Sequence, residues 1–247
     1  MTTETRDVCI VGAGPAGLTA AIFTARAGLD TLVLNADEPI LARNAHLANV
    51  PGFPAGVDAR LFLEMTRDQA ERNGAAIRDG RVTRIDETDA GRLSVDVADG
   101  AAVRADYVIC TSWSDTDYLA DLPDVGITKR GSKTYVDVDD DGATAVDGLY
   151  AAGRIAETHH QTVVAAGDGA SVALTVIDES AVPFYHDWVA PEGYFTGRGR
   201  EVPPGCEEID DAERERRERE ARETMREYFA EPHSDEPTQH PSVADDE

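Results

Sequence analysis

The chain predicts a doubly wound α/β domain, and three observations carry that expectation. An apolar strand starting at Asp7 enters a glycine-rich turn, an alanine-rich helix and a second apolar strand that ends at Asn35, which is a β-α-β unit. A further buried strand is expected at residues 107–111, and another in GLYAAG. The helix expected at residues 161–177 carries a small-residue face, AAGDGA, suited to close packing on a sheet.

The remaining elements follow in order. A polar loop, ADEPILARNAHLANVPGFPAG, leads to a helix over residues 58–73, where Leu61, Phe62, Met65 and Gln69 recur at helical spacing and Gly74 supplies the stop. The stretches AAIRDG, RVTRIDETD, RLSVDVADG and AVRADYVICT alternate apolar and polar residues between Asp-Gly and Ala-Gly turns. They predict a small antiparallel meander returning to the central strand at residues 107–111. After a loop, KTYVDVDDDG and GLYAAG predict two short strands. Composition shifts at Pro183, where PFYHDWVAPEGYFTGRGREVPPG suggests an ordered, irregular aromatic arm. A charged helix over residues 210–229 follows, with Glu213, Glu215 and Glu218 each four residues before an arginine. From Glu231 onward the chain is expected to be disordered. The expected division is a nucleotide-binding domain over residues 1–180, then an arm, helix and tail over residues 181–247.

Composition excludes several functions. A formal charge of -25 with no basic stripe argues against a nucleic-acid partner bound through its phosphates. Acid is spread along the chain and lysine occurs only at Lys129 and Lys133, so the surface repels itself unless salt screens it. A salt-rich cytoplasm is the expected setting, and the expected protein is a soluble one that stays inside. No apolar run approaches the ~18 residues of a membrane helix, so no membrane partner is expected. Cys9, Cys110 and Cys206 lie far apart with no CxxC, so neither a metal site nor a redox dithiol is written locally. Cys206, in PPGCEE, is expected to be exposed and is a poor nucleophile candidate.

Gly12, Gly14 and Gly17 form GxGxxG around Pro15 and Ala16. The first glycine permits the tight turn, the second lets the backbone approach a pyrophosphate, and the third lets helix and strand pack closely. With a strand before and a helix and strand after, the glycines predict a dinucleotide site rather than a chance cluster. An acid for the adenosine ribose is expected about 20 residues on; the chain has Asn35 there, with Asp37 beyond.

Taken together, VGAGPAGLTAA, NVPGFPAG, the strand ending near Cys110, and GLYAAGR followed by HQTVVAAGDGA resemble the flavin-binding part of thioredoxin reductases. These belong to the two-dinucleotide-binding-domain flavoproteins, and the resemblance runs from about residue 7 to residue 177. It implies a Rossmann-like FAD-binding domain with a parallel sheet plus a small antiparallel meander, extended here by the aromatic arm and charged helix. FAD is the implied cofactor. The ADP half is placed on Gly12, Gly14, Pro15, Ala16, Gly17 and Asn35, and the rest of FAD beside Asn49, Val82, Cys110, Thr111, Gly153, Arg154, His160 and Gln161. Two readings stand for Cys110, a thiol near the ring or a core cysteine. Two also stand for His160, which replaces the family's usual arginine: a flavin contact or a cap of the helix. His159 is expected to face solvent.

Two departures from the family matter. Where the family strand ends AAGD, with the aspartate holding the ribityl chain, this chain has Arg154, whose guanidinium can donate to ribityl hydroxyls or reach the pyrophosphate. The segment 111–134 also spans the gap where the family inserts an NADPH domain with a CxxC dithiol, and a domain of about 100–150 residues does not fit there. The expected function is an FAD-dependent oxidoreductase without its own nicotinamide domain or dithiol, exchanging electrons with a partner protein or small carrier, and forming a homodimer. The alternative is a flavin- or nucleotide-occupied scaffold without turnover. The sequence assigns no catalytic residue and no metal.

Overall fold

At the centre of the molecule is the strand that opens it, β1 (Glu4–Val11), held in parallel between two others. The computed structural model describes residues 4–88, 91–98, 100 and 102–239. After β1 come α1 (Pro15–Arg26), β2 (Thr31–Asn35), α2 (Ala59–Arg72), β3 (Ala76–Asp79), β4 (Val82–Glu87), β5 (Leu93–Val97) and β6 (Val103–Cys110). Then follow β7 (Ile127–Arg130), β8 (Lys133–Val136), β9 (Leu149–Ala151), α3 (Thr162–Glu179), β10 (Trp188–Pro191), β11 (Cys206–Ile209) and α4 (Asp211–Tyr228). The main sheet has the order β3-β2-β1-β6-β5-β4, with β9 added beside β6.

On the edge away from β1, strand β6 serves two ladders. Its first half pairs antiparallel with β5, Leu93 opposite Ala105, and its last three residues pair parallel with β9, Val108 opposite Leu149. The sheet is therefore parallel where β1, β2, β3, β6 and β9 meet and antiparallel where the chain folds back through β4 and β5.

Side chains of the central strands alternate between two cores, as a period of two requires. Val8, Ile10, Val33, Ile109 and Tyr150 point to the face covered by α1 and α3. Cys9, Val11, Leu32, Leu34, Val108, Cys110 and Leu149 point to the other face, which is closed by the meander and by Tyr118 and Leu119. Each fully buried aliphatic side chain of this kind contributes about 1.5–3 kcal/mol. A third, smaller core of Leu47, Val50, Val57, Ala59 and Leu61 lies between the loop after β2 and α2. That helix starts at Asp58, whose carboxylate accepts the N–H groups of Arg60 and Leu61 at 2.8 and 3.1 Å.

Three expectations are corrected. The stretch AAIRDG is not part of the meander: β3 pairs parallel with β2, Leu32 opposite Ala76, because α2 is the crossover of a second β-α-β unit. The segment between Thr111 and Lys133 is not all loop, since β7 forms a hairpin with β8 around Gly131, whose φ is +63°. That hairpin is separate from the main sheet, and its second strand, β8, is the short strand expected in KTYVDVDDDG. The aromatic arm contains a parallel pair, β10 with β11.

Finally, residues 231–239 are placed rather than disordered. His233 Nε2 lies 3.4 Å from Glu64, and the Thr238 hydroxyl donates to Glu38 at 2.9 Å. The rest of the expected disordered tail lies outside the described residues.

The arm folds back onto the body. Phe184 packs against the α1–α3 core, and Arg26 grips the Asp187 carboxylate with two bonds of 2.5 and 2.7 Å. In α4 the three expected pairs form: Arg217 to Glu213 at 2.7 Å, Arg219 to Glu215 at 3.9 Å and Arg222 to Glu218 at 3.7 Å. The end of the helix docks by its aromatics, Tyr228 donating to Asp68 at 2.6 Å and Phe229 lying 6.2 Å from the Phe53 ring. No described helix is long and apolar enough to cross a membrane.

Candidate functional site

A cavity of about 1120 Å³ opens at the carboxyl ends of β1, β2 and β6. That is where an open α/β sheet creates a crevice, since the chain leaves β1 toward β2 on one side and β6 flanks it on the other. Two helices aim their N-termini at it: Pro15 and Ala16 of α1 and Thr162 and Ala165 of α3 belong to its wall. Neither helix start carries a side-chain cap, so both present first-turn N–H groups and the positive end of a helix dipole.

The three glycines divide the work between fold and site. Gly12 has φ +111° and donates its N–H to Leu34 O at 2.8 Å, closing the turn at the end of β1. At Gly17 a Cβ would stand 2.0 Å from Gly12 O, so this position sets the approach of α1 to the strand. At Gly14 a Cβ would meet nothing within 4 Å, and the space it would enter is the cavity. A bare backbone facing open space at a helix N-terminus is a cradle for a phosphate group, so the residues present fit a dinucleotide.

Asn35, at the end of β2, accepts the Ala13 N–H through Oδ1 at 3.3 Å. One lone pair of this oxygen is used on the glycine turn, and the amide nitrogen adds two donors that an acid would lack. Asp37 is paired with Arg81 at 2.6 Å.

At the opposite end the chain brings together residues far apart in sequence. Asn49 donates to Gln161 Oε1 at 2.7 Å across a separation of 112 residues, tying the NVPGFP loop to the start of α3. Thr111 donates its hydroxyl to Val11 O at 2.8 Å and Gly12 O at 3.0 Å, joining the ends of β1 and β6. Two residues on, Trp113 holds φ +62°, a rare conformation for a bulky residue, and meets the His160 ring edge to face at 4.4 Å. Burial first, then the positive charges of Arg154 and Lys133, keep the His160 pKa below the ordinary histidine value.

Gly12, Gly14, Pro15, Ala16, Asn35, Asn49, Val82, Thr111, Arg154, His160 and Gln161 all line the cavity. Three expected contacts do not. Gly17 is a packing residue, and Gly153 donates its N–H to Asp168 at 2.6 Å while its missing Cβ admits Ala16. Cys110, one of the residues expected beside the flavin, is instead a core cysteine: β6 turns its side chain into the meander core, and burial pushes its thiol up to about 12. His159 is exposed, as expected, yet forms part of the cavity rim.

Sequence reasoning missed Trp113, Arg43 and His46, which also line the cavity. Trp113 lies in a segment without periodicity, and only its position just past a buried strand end could have marked it. Arg154 is in the wall, but its Nη2 donates to the Tyr135 hydroxyl at 2.5 Å and its guanidinium stacks 4.9 Å from that ring. Among the described residues no cluster of side chains suits a metal ion.

Comparison with known proteins agrees with this geometry. A family described as an FAD binding domain matches residues 7–53. The thioredoxin reductase of Aquifex aeolicus is 40% identical over 108 residues, 43% of this chain and 33% of that protein. That of Streptomyces coelicolor is 36% identical over 132 residues, 52% of this chain and 41% of that protein. The chain's matched segment thus spans well under half the length of these curated relatives. Among solved structures, a thioredoxin reductase from Gloeobacter violaceus superposes with a TM-score of 0.66 at 20% identity, covering 75% of this chain and 100% of that one. Another, from Streptococcus pyogenes, superposes with 0.64 at 14% identity, covering 72% and 98%. At such identities the structural likeness speaks for the fold alone, a thioredoxin reductase-like FAD-binding α/β fold.

Proposed function

We propose that this chain, whose fold is thioredoxin reductase-like, is an FAD-dependent oxidoreductase that takes or gives electrons through a partner protein or small carrier, without a nicotinamide domain of its own. The observation that carries the proposal is the cavity, with an open glycine cradle at one end and the Asn49–Gln161 bond beneath a helix N-terminus at the other. The turn at Gly12 to Gly17 would hold the pyrophosphate by backbone N–H groups, Asn35 would donate to the adenosine ribose, and Asn49, Gln161 and Thr162 would surround the ring end. Bound FAD supplies one- or two-electron transfer. The chain's own residues bind it and orient it, and the α3 dipole favours negative charge at the ring end.

The absence of a nicotinamide domain rests on the stretch between β6 and β9, which is filled by a short 3-10 helix, Asp117–Leu119, and the β7–β8 hairpin. Hydride transfer needs the nicotinamide held against the flavin, and no second glycine fingerprint is available to hold it. A salt-rich cytoplasm and pairing of two copies belong to the same proposal. The exposed aromatics Tyr185, Trp188 and Tyr194 on the arm support the pairing.

The test is the visible spectrum of protein purified in molar potassium chloride, followed by anaerobic mixing with NADPH. Bound flavin that stays oxidised under excess NADPH for many seconds, yet is reduced by dithionite, is the expected result. A protein that cannot be loaded with flavin overturns the proposal, and rapid bleaching by micromolar NADPH overturns its second half.

A further inference from the structure

In this acidic chain most arginines are tied to carboxylates, among them Arg6, Arg26, Arg78, Arg81 and Arg92. Arg154 and Lys133, like Arg43, Arg104 and Arg198, make no ion pair among the described residues, but these two share one neighbourhood around His160. Arg154 is half-buried in the cavity wall and spends one nitrogen, Nη2, on the Tyr135 hydroxyl. Its other guanidinium N–H groups have no acceptor among the described residues. Lys133 stands two residues before Tyr135, on the same side of β8, and holds its ammonium 5.5 Å from the centre of the Trp113 ring. Trp113 meets His160, so one cluster contains two unpaired cations, a histidine and two aromatic faces.

Such a cluster is costly if nothing enters it. Like charges repel, and among the described residues no carboxylate pairs with either cation to offset this. The oxidised flavin ring carries no anionic group to balance them, and the phosphates of FAD are assigned to the Gly12–Gly17 turn. A planar monoanion satisfies the chemistry: a guanidinium fork takes a carboxylate with two parallel bonds, the ammonium takes it as a point charge, and the indole packs on its flat face.

We infer that Arg154, Lys133 and His160, arranged around Trp113, form a binding site for a small carboxylate-bearing substrate or carrier beside the flavin ring. This rests on the flavin reading above. Arg154 and Lys133 bind the carboxylate, and His160, whose pKa burial and the two cations lower, places a ring nitrogen beside them. Reversal of the family's aspartate to Arg154 then marks a change of partner rather than a decayed site.

The experiment uses the full chain in a Trp188→Phe background, where Trp113 is the sole indole. Acetate and its neutral analogue acetamide are titrated separately at constant ionic strength in potassium fluoride, with and without FAD loaded. Trp113 emission and the flavin band are followed. Acetate, not acetamide, is expected to give a saturable change in both signals. Arg154→Gln and Lys133→Gln are each expected to weaken it about tenfold, the loss of one charge-assisted contact, and Arg154→Lys to restore part of it.

An equal response to acetamide, no saturable response, or an acetate response that FAD loading abolishes overturns the inference; the last shows that the cations serve the flavin itself. A saturable acetate response in a protein that takes up no FAD supports the anion site while overturning the flavin reading. The two failures are therefore distinguishable.

Discussion

Replacing Gly14 with valine separates the fold from its ligand. The residue sits at φ -80° and ψ -176°, ordinary extended backbone, so valine adopts it without strain. A Cβ there meets no protein atom within 4 Å, so the branched side chain projects only into the cavity, where the pyrophosphate would lie against the start of α1. Two hydrogen bonds from backbone N–H groups to a charged phosphate are worth about 1.5–3 kcal/mol each. Displacing the phosphate therefore costs about 3–6 kcal/mol, a loss of about 100- to 10,000-fold in FAD affinity.

The ligand-free fold should keep its melting temperature. The increase on adding FAD should vanish; at a concentration 100 times Kd that increase is worth about 2.7 kcal/mol, or about 5–10 °C for a chain of this size. Thermal melts with and without FAD, together with flavin content by absorbance, read both quantities. Gly17→Ala is the contrasting control, since its Cβ would stand 2.0 Å from Gly12 O and should lower the melting temperature even without FAD. A Gly14→Val protein that purifies with a full complement of flavin would refute the placement of the pyrophosphate.

Acid should weaken the C-terminal arm. Hydrogen bonds from Arg216 and Arg217 hold Glu213 at about 2, and Glu208 is held at about 2 because the Thr196 hydroxyl and the N–H groups of Phe195, Thr196 and Gly193 outweigh its desolvation. Both folded values lie below the ordinary 4.5, so the stability they contribute is present above pH ~4.5 and lost as pH falls toward ~2. In molar salt Glu208→Gln should flatten that acid slope more than Glu213→Gln, because screening removes the ion pairs and spares the backbone bonds; equal effects would count against this.

Withdrawing salt should lower the melting temperature reversibly, because the Debye length grows from about 3 Å at 1 M to about 30 Å at 0.01 M and the excess carboxylates then repel one another. A constant melting temperature over that range would overturn the proposed salt-rich setting. Phe184→Ala should cost about 2 kcal/mol or more by emptying a contact between arm and helix core, and should increase protease cleavage within the arm. Unchanged proteolysis would show that the arm is held by its polar contacts alone.

The parts legible in the sequence are those where periodicity and chemistry coincide. The β-α-β unit around Gly12, Gly14 and Gly17 and the helix capped by Asp58 follow from apolar spacing and turn residues that permit no other local structure. The ion pairs of α4 were readable for the same reason, since four-residue spacing fixes them. The partner of β3 was not, because four residues with two apolar side chains suit a meander edge and a parallel edge equally; only the crossover through α2 decides. The side of β6 that Cys110 faces depends on register, which a run of apolar residues does not encode. Trp113 and the Tyr135 bond to Arg154 depend on how the β7–β8 hairpin lies against the cavity, a tertiary arrangement invisible in the local pattern.

Strand β9 is only three residues long, yet it carries the chain from the sheet into the turn before α3 and so fixes one whole end of the cavity. Its hold on β6 includes the bonds from Val108 N to Gly148 O at 2.8 Å and from Ala152 N to Cys110 O at 2.9 Å. So short a ladder has few hydrogen bonds of its own, and the buried side chains of Leu149, Tyr150 and Ala151 supply the rest of its hold. Helix α3 itself stays packed on α1, where Gly169 lies against Ala16, so what this ladder governs is the turn leading into α3 that closes one end of the cavity. A ligand that touches both termini acts as a clasp across a seam only three residue pairs long. Amide exchange at Val108 and Ala152 should then slow on FAD loading far more than exchange in β2, so that occupancy of the cavity can be timed from inside the sheet, without any signal from the flavin.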